Sequence, residues 1–320
     1  MKSPTPMKEH IIPFLEYCEI EKGLSPNTQR NYKQYLDLFV VWLSRSGNTN
    51  LKPHELSRDH VWNYRLFLAQ KYKTKHQKYL TRKSQNYYLI ALRAFLDYLA
   101  DRDIDTLPSS KVKLAKQKTE ETISFLEARD VEKMLDVPDI ATPGGLRDRA
   151  IMELFFSSGM RVSELVSLDQ DQLSILQDKR TDRTYELSIV GKGSKVRTVF
   201  ISPRAAKWLR KYLKTRTDVS KPLFINYRSK DKESRRLSPR SIQLMISKCA
   251  RLAGLSKKVT PHTLRHTYAT DLLGHGADLR SVQELLGHSN VATTQVYTHV
   301  TNKRLRDIHE KFHGGKEFKE

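Results

Sequence analysis

Apolar residues in the first hundred positions recur every three to four residues, the spacing of one buried face on a helix. His10–Lys22 carries Ile11, Phe14, Leu15 and Cys18 on such a face and stops at Gly23. Ser25 followed by Pro26 reads as an N-cap with proline in the first turn. It opens a second helix to about Ser46, whose apolar side holds Tyr32, Tyr35, Leu36, Phe39, Val40 and Leu43. Ser57 caps a third, with Val61, Trp62, Tyr64, Leu66 and Phe67. A fourth spans about Ser84 to Asp101 and presents Tyr88, Leu89, Leu92, Phe95, Leu96 and Leu99. The pattern predicts a small four-helix unit over residues 1–105, with basic loops such as Lys71-Tyr72-Lys73-Thr74-Lys75-His76-Gln77-Lys78.

Residues 106–122 break this pattern. They hold Pro108, Ser109, Ser110, four lysines and no aromatic residue, a composition that suits a linker. Beyond it, helical spacing gives way to a strand signal in one place. Tyr185–Val190 and Lys195–Ile201 are rich in β-branched residues and flank Gly191-Lys192-Gly193-Ser194, which reads as a tight hairpin turn. Helices are predicted again at Pro203–Lys214, at Ser238–Ala253, from Pro261 with Thr260 as cap, at Leu279–Leu286 and at Val291–Tyr297. Gln177–Arg183, between helix and hairpin, is charged, and Asn226–Arg240 is polar and basic without a period. The expected fold class is mainly α with a small β-hairpin. A second unit covers 123–301, and a tail over 302–320 places Leu305, Ile308 and Phe312 at helical spacing.

Charge then narrows the partners. The 320 residues include 57 Lys and Arg against 36 Asp and Glu, a formal net charge of +21. Such an excess does not specify a fold, but it favours a polyanion, and nucleic acid first. The excess is shared: residues 1–122 hold 21 basic and 13 acidic side chains, a net +8, and the rest of the chain holds the other +13. Two basic units on a strap suit closure round a duplex as a C-shaped clamp. No run approaches the ~18 apolar residues of a membrane span. Met1–His10 lacks a signal-peptide pattern, so a cytoplasmic protein without membrane association is expected. Cys18 and Cys249 lie far apart in no metal or redox spacing, which excludes a zinc finger. Both are expected to pack as small apolar residues.

Five pieces of the second unit invite chemistry, and each has an ordinary reading alone. Arg161 follows Gly159, which ends one helix, and opens another in Ser158-Gly159-Met160-Arg161-Val162-Ser163-Glu164-Leu165. An arginine there is usually a surface charge or an ion pair with Glu164. Lys192 in a hairpin turn is usually just solvated. His262, Arg265 and His266 share a helix face at i, i+3 and i+4. That pair of histidines could hold a metal, but no nearby acidic or cysteine ligand completes a site. His288 follows Leu286-Gly287 at a helix end, and Tyr297 is one of 14 tyrosines.

Taken in order, these pieces resemble the tyrosine recombinase (integrase) family. The resemblance is carried by Gly159-Met160-Arg161-Val162-Ser163-Glu164-Leu165, Gly191-Lys192-Gly193, His262-Thr263-Leu264-Arg265-His266, Leu286-Gly287-His288 and Tyr297-Thr298-His299. It spans the whole second unit. The first unit is similar to the family's SAM-like core-binding domain, on less specific grounds, and the compact length is most like the Xer recombinases. The resemblance implies a site-specific recombinase that cuts DNA with Tyr297 as nucleophile and leaves a 3′-phosphotyrosine. Arg161 and Arg265 would grip the non-bridging oxygens of the scissile phosphate, for which paired guanidinium forks are suited. Fixed charge of this kind does the work that metal ions do in nucleases, so no metal and no cofactor is expected. Tyrosine, with a pKa of about 10, needs a base or an electropositive site, and His262 is implied as that base. Lys192 would protonate the leaving 5′-oxygen, and His288 would hydrogen-bond a non-bridging oxygen. Glu164 and His266 would orient the others.

Exchanging one phosphodiester for another is near neutral in energy, so no ATP is needed. The implied partners are double-stranded DNA with two inverted half-sites and a homotetramer working through a four-way junction. A heterotetramer with a paralogue and an accessory DNA translocase are further expectations of the resemblance. The tail over 302–320 would dock in trans on a neighbouring subunit. Chromosome dimer resolution is the expected role, and a phage or mobile-element integrase would carry the same residues. A type IB topoisomerase shares the chemistry but not the compact length. A DNA-binding protein with a degraded site would not retain the whole set, and a metal-dependent nuclease lacks ligands.

Overall fold

Most α-helices among the described residues begin where a hydroxyl takes one of the unpaired N–H groups of the first turn. The computed structural model describes residues 1–74, 76–116, 125–173, 183–191, 196–229 and 235–287. The chain divides into two units, Met1–Glu120 and Glu121–Glu320.

In the first unit a 3₁₀ turn, Met7–His10, leads into α1 (Ile11–Ile20). Three more helices follow: α2 (Pro26–Arg45), α3 (Arg58–Leu66) and α4 (Arg82–Asp101). The Ser25, Ser57 and Thr81 hydroxyls accept from the N–H groups of Thr28, His60 and Ser84. Because Thr81 rather than Ser84 is the cap, α4 starts two residues earlier than its apolar pattern indicates. Phe14, Leu36, Phe39, Tyr64, Leu92 and Phe95 fill the core. Trp62 departs from expectation and is 57% exposed, with the Arg65 guanidinium over its ring. Val61 and Tyr64 take the inward positions of α3, and at about 100° per residue Trp62 points well away from both, roughly 100° from Val61 and 160° from Tyr64.

The stretch read as a linker is packed over its described part. Ser109–Lys111 forms a 3₁₀ turn, Val112 enters the core, and Leu107 and Leu114 pack against it. The Asn86 side chain donates to the Ala115 carbonyl and accepts from the Ala115 N–H, each at 2.9 Å. Composition concealed this, because three apolar anchors among prolines, serines and lysines show no period. Residues 117–124 lie outside the described residues.

The second unit contains α5 (Ala128–Leu135), α6 (Pro143–Ser158), α7 (Val162–Ser167) and α8 (Pro203–Leu213). It continues with α9 (Pro239–Leu252), α10 (Pro261–Gly274) and α11 (Leu279–Leu286). Between α7 and α8, β1 (Tyr185–Val190) and β2 (Val196–Ile201) pair antiparallel, with Tyr185 opposite Ile201 and Val190 opposite Val196. Tyr185, Leu187 and Ile189 face inward along β1. The core gathers around α6, which packs on α8, β2 and α10. Arg149 on α6 is buried yet satisfied: it donates to Glu153 and Asp136 and lies over the Trp208 ring. Cys18 and Cys249 are both buried and unbridged. Among the described residues no helix is long and apolar enough to cross a membrane. The helix expected at Val291–Tyr297 and the tail over 302–320 lie outside the described residues.

Candidate active site

Gly159 ends α6 in the left-handed conformation at φ +57°, where a side chain is strained. A Cβ there would also run into the Tyr268 ring, 2.7 Å from Cε1. The turn delivers Arg161 as the N-cap of α7 in extended conformation. Arg161 has no hydroxyl to cap with, so Glu164 in the first turn reaches back. Its Oε2 accepts from the Arg161 backbone N–H at 2.7 Å, and its Oε1 accepts from Arg161 Nη1 at 2.8 Å. A third donor comes from β2, where Arg197 Nη2 reaches the same Oε2 at 2.8 Å. Glu164 is only 3% exposed. Burial alone would raise its carboxyl, but the Arg161 N–H and guanidinium and the Arg197 charge outweigh burial and hold it below the usual carboxylate range.

Arg265 sits one turn into α10, whose start is capped by Thr260 on the Thr263 N–H. It is 4% exposed. Its Nη1 donates to the Gly159 carbonyl at 2.7 Å and its Nη2 to the Leu286 carbonyl at 2.5 Å. Leu286 closes α11, and Gly287 follows it in the left-handed conformation. The last carbonyls of a helix have no partner within it and carry the negative end of its dipole. Here three consecutive carbonyls each receive a guanidinium. Arg197 takes Leu285, Arg265 takes Leu286, and Arg161 takes Gly287 at 3.1 Å. Arg161 and Arg197 share the Glu164 carboxylate, and all three cations share the end of α11, so among the described residues a single carboxylate stands against three guanidiniums here. Arg161, 33% exposed, is the more open of the two arginines expected in the site, since Arg265 is buried.

The two histidines of α10 meet each other, His262 Nε2 lying 2.9 Å from His266 Nε2. Burial, reinforced by the charges of His262 and Arg265, lowers His266 to about 4, so it is neutral near pH 7. The two ring nitrogens lie within hydrogen-bond distance, and which of them donates is set by the tautomers of the rings.

The structure thus brings Arg161, Glu164 and Arg265 together through residues 286 and 287, with His262 and His266 on the same helix as Arg265. Lys192, His288 and Tyr297 lie outside the described residues. Sequence reasoning missed Arg197. Its signal was alternation: in β2 residues 197, 199 and 201 share a face, and Val199 and Ile201 are buried. A charge in register with two core residues calls for a partner.

Residues 124–304 match the phage integrase family, and residues 11–103 match the phage integrase N-terminal SAM-like domain. The chain belongs to the phage integrase family, as a Xer-like tyrosine recombinase. It is 36% identical to tyrosine recombinase XerD of Listeria monocytogenes over 316 residues, covering 96% of this chain and 99% of that protein. Identity to tyrosine recombinase XerD of Pseudomonas putida is 37% over 311 residues, with 95% and 96% covered. Tyrosine recombinase XerC of Syntrophus aciditrophicus is 36% identical over 321 residues, with 96% and 98% covered. The fold of this integrase-family chain is also that of XerH recombinase bound to its difH substrate, at a TM-score of 0.67 and 20% identity over 93% of this chain and 83% of that one.

Proposed function

We propose that this recombinase cuts and rejoins DNA strands through a 3′-phosphotyrosine on Tyr297, exchanging strands between two duplex sites within a tetramer. The observation that carries this reading is the meeting of Arg161 and Arg265 on the adjacent carbonyls of Gly287 and Leu286. Two guanidiniums from separate helices, fixed by buried partners, form a cradle for one phosphate, and the chain leaving that cradle enters His288 directly. Arginine forks match the paired oxygens of a phosphodiester. Because their positions are set before DNA arrives, they can stabilise the charge that grows as a fifth ligand reaches phosphorus.

In the proposed sequence the Tyr297 oxygen attacks phosphorus while His262 takes its proton. The bond to the 5′-oxygen breaks, and Lys192 protonates that leaving oxygen. His288 adds a donor to a non-bridging oxygen. The 5′-hydroxyl of a partner strand then attacks the phosphotyrosine, which returns the proton to Tyr297 and conserves the bond energy. The related proteins whose structures share this fold include a lambda integrase tetramer bound to a Holliday junction. That supports DNA as the partner here and a multimer as the working form. Double-stranded DNA with inverted half-sites, a homotetramer or a heterotetramer with a paralogue, and a translocase as regulator fit the Xer-like reading, as does a cytoplasmic location. Residues 1–105 and 123–301 would both contact the duplex, and the tail over 302–320 would dock on a neighbouring subunit.

Covalent capture tests the reading. The protein is incubated with sheared genomic DNA of its own source, denatured, and the DNA still attached to protein is sequenced. The recovered fragments should converge on one inverted-repeat sequence. Random fragments, or none, would refute site-specific cleavage.

A further inference from the structure

We propose that Arg197 is a positioning residue for DNA cleavage, fastening both Glu164 and the end of α11 to the inner face of β2 so that Arg161 meets the scissile phosphate in one fixed pose. This rests on the phosphate-gripping role given to Arg161 above. Arg197 is 12% exposed and shares its strand face with Val199 and Ile201, which places a cation against the core. Burying a guanidinium there is costly unless its donors are used. Its Nη2 goes to Glu164 Oε2 at 2.8 Å and its Nη1 to the Leu285 carbonyl. Its Nε–H has no acceptor among the described residues. The stem runs against Gly287: a Cβ at that glycine would lie 2.6 Å from Arg197 Cδ and 2.9 Å from Nε. Gly287 therefore serves two ends, the left-handed turn and the passage of this side chain.

These bonds are not the only contacts that hold the two elements they join. β2 is held by six residue pairs with β1 and by its own buried side chains, and α11 is held by Val282 and Leu286 in an apolar cluster. What the bonds add is coupling. Glu164 holds Arg161 by two contacts and Arg197 by one, so the carboxylate cannot rotate without breaking a charged bond. The Leu285 bond fixes the helix end that leads into His288. Arg197 thus joins the holder of Arg161 to the helix end that precedes His288 in the chain.

The test uses the full chain and a nicked duplex bearing its captured site, on which cleavage traps the covalent adduct. Arg197→Met keeps the stem against Gly287 and removes the fork. Arg197→Lys keeps the charge but cannot span both acceptors. Single-turnover adduct formation is measured with an ordinary phosphodiester at the cut and with a neutral methylphosphonate, alongside Arg161→Ala. DNA affinity and thermal midpoint are measured for each variant. We expect Arg197→Met to bind DNA like the parent and to stay folded at the assay temperature, with a lowered melting midpoint, yet to form adduct roughly 30- to 300-fold more slowly on the phosphodiester, with Arg197→Lys recovering less than about tenfold. On the methylphosphonate, which has no charge for Arg161 to hold, the loss should shrink to below about tenfold for Arg197→Met, as for Arg161→Ala. A parent-like rate on the phosphodiester, or an equal loss on both substrates while Arg161→Ala remains selective, would overturn the positioning role alone. An equal loss on both for Arg161→Ala would instead overturn its phosphate role, and this inference with it.

Discussion

Neutralising Glu164 while keeping its shape, by Glu164→Gln, removes the carboxylate that Arg161 and Arg197 share. The wild-type side chain is 3% exposed and accepts three bonds of 2.7 to 2.8 Å. Breaking a buried charge pair by removing one partner costs about 3–5 kcal/mol, because the other charge is left uncompensated. Arg161, 33% exposed, can recruit water, so its share is discounted; Arg197, at 12%, is far less able to. Glutamine still accepts the Arg161 N–H through its oxygen but turns an amide NH₂ towards a cation. The expected loss is about 2–4 kcal/mol, confined to the second unit. At roughly 2–4 °C per kcal/mol for a unit of this size, its melting midpoint should fall by about 5–15 °C. The assay is urea and thermal unfolding followed by far-UV circular dichroism. The pH dependence has a definite sign. The folded carboxyl is depressed below its ordinary value of 4.5, so its contribution is complete above that value and fades as pH falls through the lower folded pKa. The gap between parent and variant should therefore be constant near neutrality and close in acid. A loss below about 1 kcal/mol, or a gap that persists unchanged into acid, would refute the account of Glu164 as a charged anchor.

Arg265→Lys should cost about 2–4 kcal/mol, since a single ammonium cannot reach both the Gly159 and Leu286 carbonyls, and should slow adduct formation by about a hundredfold or more; near-parent values by urea titration and single-turnover cleavage would contradict the fork. Gly159→Ala forces a Cβ into the Tyr268 ring at φ +57° and should cost about 2–4 kcal/mol in the same unfolding assay, whereas a neutral result would mean the turn relaxes freely. His266 is depressed to about 4, so the unfolded chain takes up a proton below its ordinary 6.5 before the folded one does, and stability should fall as pH drops from 6.5 towards 4 by up to about 1.4 kcal/mol per pH unit. His266→Gln should flatten that slope, and an unchanged slope would remove His266 as its source.

Several helix starts were legible where a hydroxyl preceded an apolar period, because capping is a local interaction that composition displays. Ser25, Ser57, Thr260 and the prolines after Ser25 and Thr260 behave that way. The hairpin was legible in the same manner, with β2 starting at Val196. Two kinds of feature were not. The packing of 106–116 depends on three apolar side chains finding a core built by distant residues, and a short segment shows no period from which to infer it. Arg197 reads locally as a strand residue; only the joint placement of Glu164 with Leu285 and Gly287, far along the chain from it, reveals what it does. The motif residues Arg161, Glu164 and Arg265 could be picked out by their neighbours, but the sharing of successive helix-end carbonyls among three arginines could not. It arises from tertiary contact between α7, β2, α10 and the end of α11.

The central claim is that Tyr297 becomes covalently joined to DNA. On a nicked duplex carrying the captured site, the parent protein should form an adduct that survives denaturation, and digestion should yield a nucleotide-bearing peptide modified at Tyr297. Tyr297→Phe should bind the same duplex with unchanged affinity and form no adduct. An adduct that persists in Tyr297→Phe, or one that maps to any other residue, would contradict the account.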